Sequence, residues 1–282
     1  MKARPAPLLT AITRLRAAGC VFAEEEAGLL ATAAASPDHL EALVEQRVSG
    51  LPLEHILGWA AFCGLRIRVD PGVFVPRRRT EFLVRQAARL LAAPGSTGRL
   101  PVVVDLCCGS GAVGTALAAL AGPLELHAAD IDPAAVRCAA VNIAPSGGAV
   151  HQGDLYEPLP ERLRGRVDVL AVNAPYVPSA DIATMPQEAR LHEPRVSLDG
   201  GADGLQVQRR VAAAAPDWLA PGGSLLIETS RRQAPRTVEL FIRNGLTARV
   251  ASSKALEATV VIGTVVAGTA VSVSPVQPGA PV

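Results

Sequence analysis

One stretch of this chain restricts its possible folds more than any other. Residues 102–105 form an apolar, valine-rich run that predicts a buried strand, and residues 112–121 carry apolar side chains at helical spacing. Gly109, Gly111 and Gly114 have the G-x-G-x-x-G spacing, which lets the backbone approach a ligand that lies over a helix N-terminus. The stretch therefore predicts a strand, a glycine loop and a helix, but this pattern alone does not identify the ligand.

The length and charge of the chain limit its possible functions. With 282 residues, the chain is long enough for one large domain and a small one. Its 27 basic and 26 acidic side chains give a net charge of +1, which offers no general attraction to nucleic acid or to an anionic membrane. Because no apolar run has the length of a signal peptide or of a membrane span, we expect a soluble, cytoplasmic protein.

The cysteines support the same expectation. There are five, and they are scattered without C-x-x-C or histidine spacing: Cys20, Cys63, Cys107, Cys108 and Cys138. Neither a disulfide framework nor a zinc site is indicated, and we expect no metal. Such a set is typical of a reducing compartment.

The first part of the chain predicts a small helical domain over residues 1–57. Helices are expected over 8–20, 24–35 and 37–48, and Ser36-Pro37 is a favourable N-cap and first-turn pair for the third. This domain could serve as a packing or dimerisation module, or it could dock a substrate.

Residues 58–80 predict a connector that contains a hairpin, because their side chains alternate around a glycine. Thr80 is expected to cap a helix over residues 81–91. The preceding arginines, Arg77 to Arg79, could contact a phosphate or an acidic partner, although so short a run is more typical of a solvated corner.

The rest of the chain, residues 81–266, alternates between strand and helix patterns. After a short linker over 94–98, these patterns occupy 102–105, 112–121, 124–130, 133–142, 149–152, 167–173, 203–218, 223–228, 232–244, 246–251 and 259–266. Such alternation predicts a parallel sheet with helices on both faces. The last two strands are too close for a helical crossover, so we expect an antiparallel hairpin edge, followed by a disordered tail over 267–282.

Acidic residues follow successive predicted strands. Asp130 ends a strand about 21 residues after Gly109, where a carboxylate can accept both ribose hydroxyls of an adenosyl ligand. Asp154 and Leu155 follow the next strand, at a position from which they can reach adenine. Asp105 lies just before the glycine loop, where it would attract the cationic end of S-adenosylmethionine and repel a pyrophosphate. The pattern therefore favours methyl transfer over a dinucleotide-dependent reaction.

The strand over residues 167–172 leads into Asn173-Ala174-Pro175-Tyr176 at the carboxyl edge of the predicted sheet. This tetrapeptide resembles the Asn-Pro-Pro-Tyr signature of methyltransferases that act on planar amide or amino nitrogens. The chain further resembles the HemK-type protein-(glutamine-N5) methyltransferases in the residues and the order of several segments: 52–58, 62–65, 69–77, 80–81, 193–195 and 198–205. The similarity spans roughly residues 50 to 266.

The resemblance implies a Rossmann-like class I S-adenosylmethionine-dependent methyltransferase sheet, and a protein substrate. That substrate would be the glutamine of the Gly-Gly-Gln motif in peptide-chain release factors, with no direct contact to nucleic acid or membrane. In this pattern the Asn173 side-chain carbonyl and the Ala174 backbone carbonyl accept the two N–H groups of the amide. Pro175 completes the loop, and Tyr176 lies against the amide plane. Asp105, Gly109, Gly111, Asp130, Asp154, Leu155 and Asn173 are the implied cofactor contacts.

Three departures from the family pattern leave alternatives open. Ala174 replaces a proline, which removes a ring that fixes φ. Cys107 and Cys108 replace small residues and could be packing residues or reactive thiols. Arg78 and Arg79 stand where the family commonly has proline and an acid. The alternatives are an amino-methyltransferase of nucleic acid and an inactive S-adenosylmethionine-binding paralogue.

Overall fold

The computed structural model describes residues 6–92 and 99–266, so the linker expected over 94–98 and the tail expected over 267–282 lie outside the described residues. Ten helices and nine strands occur in the part that is described. The helices are α1 (Ala6–Ala17), α2 (Ala23–Ala33), α3 (Pro37–Val48), α4 (Leu53–Leu57), α5 (Glu81–Leu91), α6 (Ala112–Ala121), α7 (Pro133–Ile143), α8 (Gln187–His192), α9 (Gln206–Trp218) and α10 (Ala234–Arg243). The strands are β1 (Trp59–Phe62), β2 (Leu65–Arg68), β3 (Val102–Leu106), β4 (Glu125–Asp130), β5 (Ala149–Gln152), β6 (Val167–Val172), β7 (Leu219–Thr229), β8 (Leu246–Ser253) and β9 (Ala258–Val265).

Helices α1 to α4 pack around an apolar cluster of their own, which includes Leu15, Leu30 and Val44. The Ser36 hydroxyl accepts a hydrogen bond from the backbone N–H of His39 at 3.1 Å, so α3 begins with the predicted cap. Helix α1 ends at Ala17, three residues earlier than expected. Apolar packing between short helices, rather than their intrinsic propensity, holds this region together.

Strands β1 and β2 form the expected antiparallel hairpin. Helix α5 has the predicted bounds, but the predicted cap is wrong. The Thr80 hydroxyl makes no capping bond, because a 3-10 turn over Arg78–Thr80 leads directly into the helix and places Thr80 itself in the helical region. The buried Thr80 hydroxyl is therefore available to the functional site.

The main sheet has seven strands in the order β5-β4-β3-β6-β7-β9-β8. The first five of these are parallel to their neighbours, whereas β9 is antiparallel to both β7 and β8, which confirms the predicted hairpin edge. Buried apolar side chains of α5, α6 and α7 cover one face, and those of α9 and α10 cover the other. Within the described ranges, none of the helices combines the length and the apolar character that crossing a membrane requires.

The strand order reverses between β3 and β6, and this switch point is where open α/β sheets bind ligands. Leu106 pairs with Val172, and Val172 pairs with Ile227 of β7. Consequently, the residues that follow these pairs, the glycine loop, Asn173 and Glu228, lie at one edge of the sheet.

Candidate active site

A cavity of about 230 Å³ opens at this switch point, and we call it the main cavity. Every predicted site residue except Gly111 contributes to its wall: Asp105, Gly109, Asp130, Asp154, Leu155, Asn173, Ala174, Pro175 and Tyr176. The fold thus brings together residues from the ends of β3, β4, β5 and β6. The predicted cofactor and acceptor residues share one cavity.

Gly109 and Gly111 have different surroundings. A Cβ atom added to Gly109 would meet only the Phe74 side chain, at 4.0 Å, so this glycine leaves open space in the cavity wall. A Cβ atom on Gly111 would come within 3.0 Å of Ala139 on α7. Gly111 thus allows close packing against α7 and a φ of +74°, and its contact with the cofactor stays a prediction.

Asp130 holds the glycine loop against the end of β4. One carboxylate oxygen accepts a hydrogen bond from the Gly109 N–H at 2.8 Å, and the other accepts one from the Asp132 N–H at 3.0 Å. Burial raises the pKa of Asp130, while these two backbone N–H groups oppose that rise. The carboxylate is fixed in place and still has lone pairs for ligand hydroxyls.

Asp105 is almost fully enclosed, with 1% of its surface exposed. Its Oδ2 atom accepts a hydrogen bond from the Gly114 N–H at 2.8 Å, in the first turn of α6. Burial raises the pKa of Asp105 to about 8, although the Gly114 N–H opposes the rise. A cation in the main cavity would favour the ionised carboxylate.

At the next strand end, Asp154 forms an ion pair with Arg210 of α9, with Oδ2 and Nη2 separated by 2.7 Å. Arg210 also lines the main cavity, and no motif in the sequence signalled it. Leu155 has a positive φ of 51°, which is uncommon for a leucine and accompanies the sharp turn after β5.

The Asn173 side chain is oriented by Thr80. Its Nδ2 atom donates a hydrogen bond to the Thr80 hydroxyl oxygen at 3.4 Å, so the side-chain carbonyl oxygen remains available on the cavity side. Ala174 is 1% exposed, and the Tyr176 backbone carbonyl accepts a hydrogen bond from Gln233 Nε2 at 3.0 Å. The loop is therefore held at both ends.

The arginine run lies at the acceptor end of the main cavity. Arg77 pairs with Glu193 at 2.6 Å, and Arg79 pairs with Glu228 at 3.2 Å. Arg78 and Arg79 are both exposed, as expected for a solvated corner, whereas Arg77 is partly buried. Arg77 and Arg79 also contact acidic partners within the chain.

Both acidic partners are buried, and each keeps one oxygen, Oε2, without a hydrogen-bond partner among the described residues. Burial raises the pKa of both carboxyl groups; Arg77 and the Val75 backbone N–H oppose the rise at Glu193, and the nearby Thr80 hydroxyl and Arg79 oppose it at Glu228. A charged residue at the end of the apolar strand β7 was the available sequence signal for Glu228. Glu193 lies in a segment of the family pattern, but that pattern did not reveal its partner.

The two adjacent cysteines line the main cavity and also pack against the core of the sheet. Cys107 has a φ of 56° and packs against the core of the sheet, and Cys108 is 7% exposed. Burial raises the pKa of both thiols far above the ordinary value, so both remain protonated at neutral pH. The geometry gives neither the character of a reactive nucleophile.

The known proteins that this chain resembles are methyltransferases. Residues 64–202 match the family model for the methyltransferase small domain. A release factor glutamine methyltransferase of Geobacter sulfurreducens is 38% identical over 215 residues, which cover 74% of this chain and 72% of the relative. A 4-amino-L-phenylalanine/4-methylamino-L-phenylalanine methyltransferase of Streptomyces pristinaespiralis is 37% identical over 203 residues, which cover 72% of this chain and 69% of the relative.

Among solved structures, a methyltransferase from Pyrococcus furiosus has a TM-score of 0.52 and 16% identity, with coverage of 71% of this chain and 89% of that protein. This similarity concerns the fold alone, and it agrees with the Rossmann-like sheet described above. The identity to the curated relatives extends over most of both chains. The chain therefore belongs to the family of release factor glutamine methyltransferases.

Proposed function

We propose that this enzyme transfers a methyl group from S-adenosylmethionine to the side-chain amide nitrogen of a protein glutamine, and that peptide-chain release factors carry this glutamine. The orientation of Asn173 is the main structural support. Its amide N–H is engaged by Thr80, so its carbonyl oxygen is free to accept an N–H of the substrate beside the cofactor residues.

The residues of the main cavity fit the proposed cofactor. Asp130 offers acceptors for ribose hydroxyls, and the open wall at Gly109 permits close approach of the ligand. Asp154 and Leu155 would contact adenine, while the Asp105 carboxylate suits the ammonium and sulfonium groups. When bound, S-adenosylmethionine supplies an electrophilic methyl group.

The acceptor residues would compensate for the weak nucleophilicity of an amide nitrogen. The nitrogen lone pair is delocalised into the carbonyl, so the enzyme has to align the nitrogen with the methyl group and stabilise the positive charge that develops on it. The Asn173 side-chain oxygen and the Ala174 backbone oxygen would each accept one N–H, and the Tyr176 ring would support the amide plane.

The reaction forms an N–C bond, breaks the S–C bond of the donor, and leaves a surplus proton on the nitrogen. An amide that carries this proton is strongly acidic, so the proton can pass to water without a dedicated base. Among the described residues, no histidine lines the main cavity, and both cysteine thiols remain protonated. Positioning and electrostatics therefore carry the proposed catalysis.

The proposed division of labour follows the predicted domains. Residues 81–266 form the methyltransferase domain, residues 58–80 the connector, and residues 1–57 a helical domain that docks the substrate. Arg47 of α3 supports the last assignment, because it binds Glu188 of α8 at 3.0 Å, in the segment that follows the Asn173 loop. A release-factor substrate implies action in the cytoplasm.

A second candidate is methylation of an aromatic amine on a free amino acid. The relative from Streptomyces pristinaespiralis favours it, because its identity to this chain nearly equals that of the relative from Geobacter sulfurreducens. The amine nitrogen of such a compound is also planar and carries two N–H groups, so Asn173 and Ala174 could hold it in the same way.

The test is methyl transfer from radiolabelled cofactor to three acceptors in parallel: purified release factors, 4-amino-L-phenylalanine and unmethylated nucleic acid. We expect label on the release factors, and its loss when the acceptor glutamine is replaced by glutamate. Label confined to the amino acid or to the nucleic acid would contradict the proposal in favour of that class. The absence of label on all three would favour an inactive binding protein.

A further inference from the structure

A second cavity, of about 540 Å³, lies beside the main cavity at the ends of β7, β8 and β9. Arg79 and Tyr176 line both cavities, so these two side chains form the boundary between them. The Arg79 guanidinium carbon lies 5.8 Å from the centre of the Tyr176 ring. A group that reached Asn173 from the second cavity would pass this boundary.

The floor of the second cavity contains the buried carboxylate of Glu228. Its Oε1 atom is paired with Arg79, whereas Oε2 has no partner among the described residues. Because Val172 pairs with Ile227, Glu228 occupies the position beside Asn173 on the neighbouring strand. Since the Glu228 side chain is enclosed, and the nearby Thr80 hydroxyl and Arg79 both oppose the rise in its pKa that burial causes, its effect on the second cavity is to hold the Arg79 guanidinium at the boundary.

The remaining wall shows which kind of ligand suits this space. The wall contains two cationic residues, Arg231 and Lys254, and one acidic residue, Glu257. It also contains several residues with hydroxyl groups: Thr229, Ser230, Ser252, Ser253 and Thr259. Since Arg79 already pairs with Glu228, the wall has a nearly balanced charge and many hydrogen-bonding groups. Such a wall suits a peptide main chain, which carries both N–H and C=O groups, better than a polyanion.

We propose that the second cavity is a substrate subsite that binds the peptide main chain next to the acceptor glutamine, with Glu228 holding Arg79 in place at its boundary. The glutamine side chain then passes between Arg79 and Tyr176 to reach Asn173. This assignment rests on the proposed glutamine methylation. It adds a contact site for the segment that carries the glutamine.

The test fills the cavity without altering the residues that bind the cofactor. Ser252 is exposed on β8 and lines the second cavity, whereas Val250 lies two residues earlier on the same face of β8 and does not line it. We expect Ser252→Trp to raise the KM for a glutamine peptide about tenfold or more, with kcat and cofactor affinity nearly unchanged. Val250→Trp, the matched control, is expected to change none of these values.

A second variant tests the buried carboxylate. Glu228→Gln keeps the size of the side chain, and we expect it to raise the peptide KM while cofactor binding remains as in the wild type. If the wild type methylates the peptide and Ser252→Trp leaves its KM unchanged, the subsite is overturned and the proposed function stands. If the wild type binds and methylates no glutamine peptide, both proposals fail.

Discussion

The buried carboxylates near the two ends of the main cavity have different kinds of hydrogen-bond partner. At the cofactor end, Asp105 and Asp130 accept hydrogen bonds from backbone N–H groups of the glycine loop and its flanks. Behind the acceptor end, Glu193 and Glu228 hold Arg77 and Arg79, which line the cavity, while the two carboxylates themselves do not. Glu193 also accepts a hydrogen bond from the Val75 backbone N–H at 3.3 Å. Backbone donors are fixed by the fold, so the carboxylates of the cofactor end are preorganised, whereas the acceptor end relies mainly on ion pairs between side chains.

The largest effect is expected at the acceptor end. Asn173→Ala removes the side-chain oxygen that holds the substrate nitrogen, and removing one preorganised hydrogen-bonding group of this kind lowers kcat by about 100- to 1,000-fold. Cofactor affinity should change little, because the hydroxyl and cation contacts remain. Steady-state kinetics and calorimetric binding of the cofactor check both statements, and unchanged turnover would remove the proposed role of Asn173.

The cofactor end should respond in the opposite way. Asp130→Ala removes the acceptor for ribose and also releases the Gly109 N–H, so we expect the cofactor Kd to rise about 30-fold, as for the loss of charged hydrogen bonds worth about 2 kcal/mol. At saturating cofactor, kcat should stay close to the wild-type value. A large fall in kcat with unchanged Kd would contradict the separation between the two ends.

The pH dependence of cofactor binding tests Asp105. Its pKa of about 8 means that the free enzyme holds a proton there at neutral pH, and a bound cation expels it. We expect the affinity to increase as the pH rises from 6 to 8, by up to about tenfold per pH unit, and to level off above 8. Asp105→Asn should flatten this profile, and an unchanged slope in that variant would exclude Asp105 as its source.

The same group affects stability without the cofactor. Because its pKa in the folded protein exceeds the ordinary value of 3.8, folding takes up a proton between these values. The contribution of Asp105 to the free energy of unfolding is therefore present below pH 4 and is lost as the pH rises through 8. Chemical denaturation of the wild type and Asp105→Asn at several pH values measures the difference.

A smaller effect is expected from Thr80, which positions Asn173. Thr80→Val keeps the shape of the side chain and removes the hydroxyl that accepts from Asn173 Nδ2, so kcat should fall about fivefold, as for one neutral hydrogen bond of about 1 kcal/mol. Thr80→Ser should restore kcat, since it retains the hydroxyl. If the serine variant is as impaired as the valine variant, packing rather than orientation explains the loss.

The smallest effect is expected for Ala174→Pro. Ala174 is buried and precedes Pro175, and the family pattern has proline at this position, so activity should stay within about twofold of the wild type. Methyl transfer at saturating substrate measures it. A large loss would indicate that this loop has been rebuilt for another acceptor.

The difference between the cofactor end and the acceptor end also explains which features the sequence could predict. The elements and the cofactor end follow local rules: β-branched runs predicted β3, glycines predicted the loop, and Asp130 occurs at a fixed distance from Gly109. The acceptor end depends on pairs far apart in the chain. Arg79 and Glu228 are 149 residues apart, and only the tertiary fold brings them together.

Thr80 shows how a local pattern can mislead. Thr80 has the residue type and position of an N-cap, but the 3-10 turn before α5 turns its hydroxyl toward Asn173 instead. A tertiary contact thus gives Thr80 a role other than the one that the local motif predicts.

The most direct test of the central claim is tandem mass spectrometry of a release factor after incubation with S-adenosylmethionine and either the wild type or Asn173→Ala. For the wild type, we predict a single added methyl group on the side-chain nitrogen of the Gly-Gly-Gln glutamine, and for the variant we predict an unmodified glutamine although the variant still binds cofactor. A methyl group on another residue, or equal methylation by both proteins, would contradict the account.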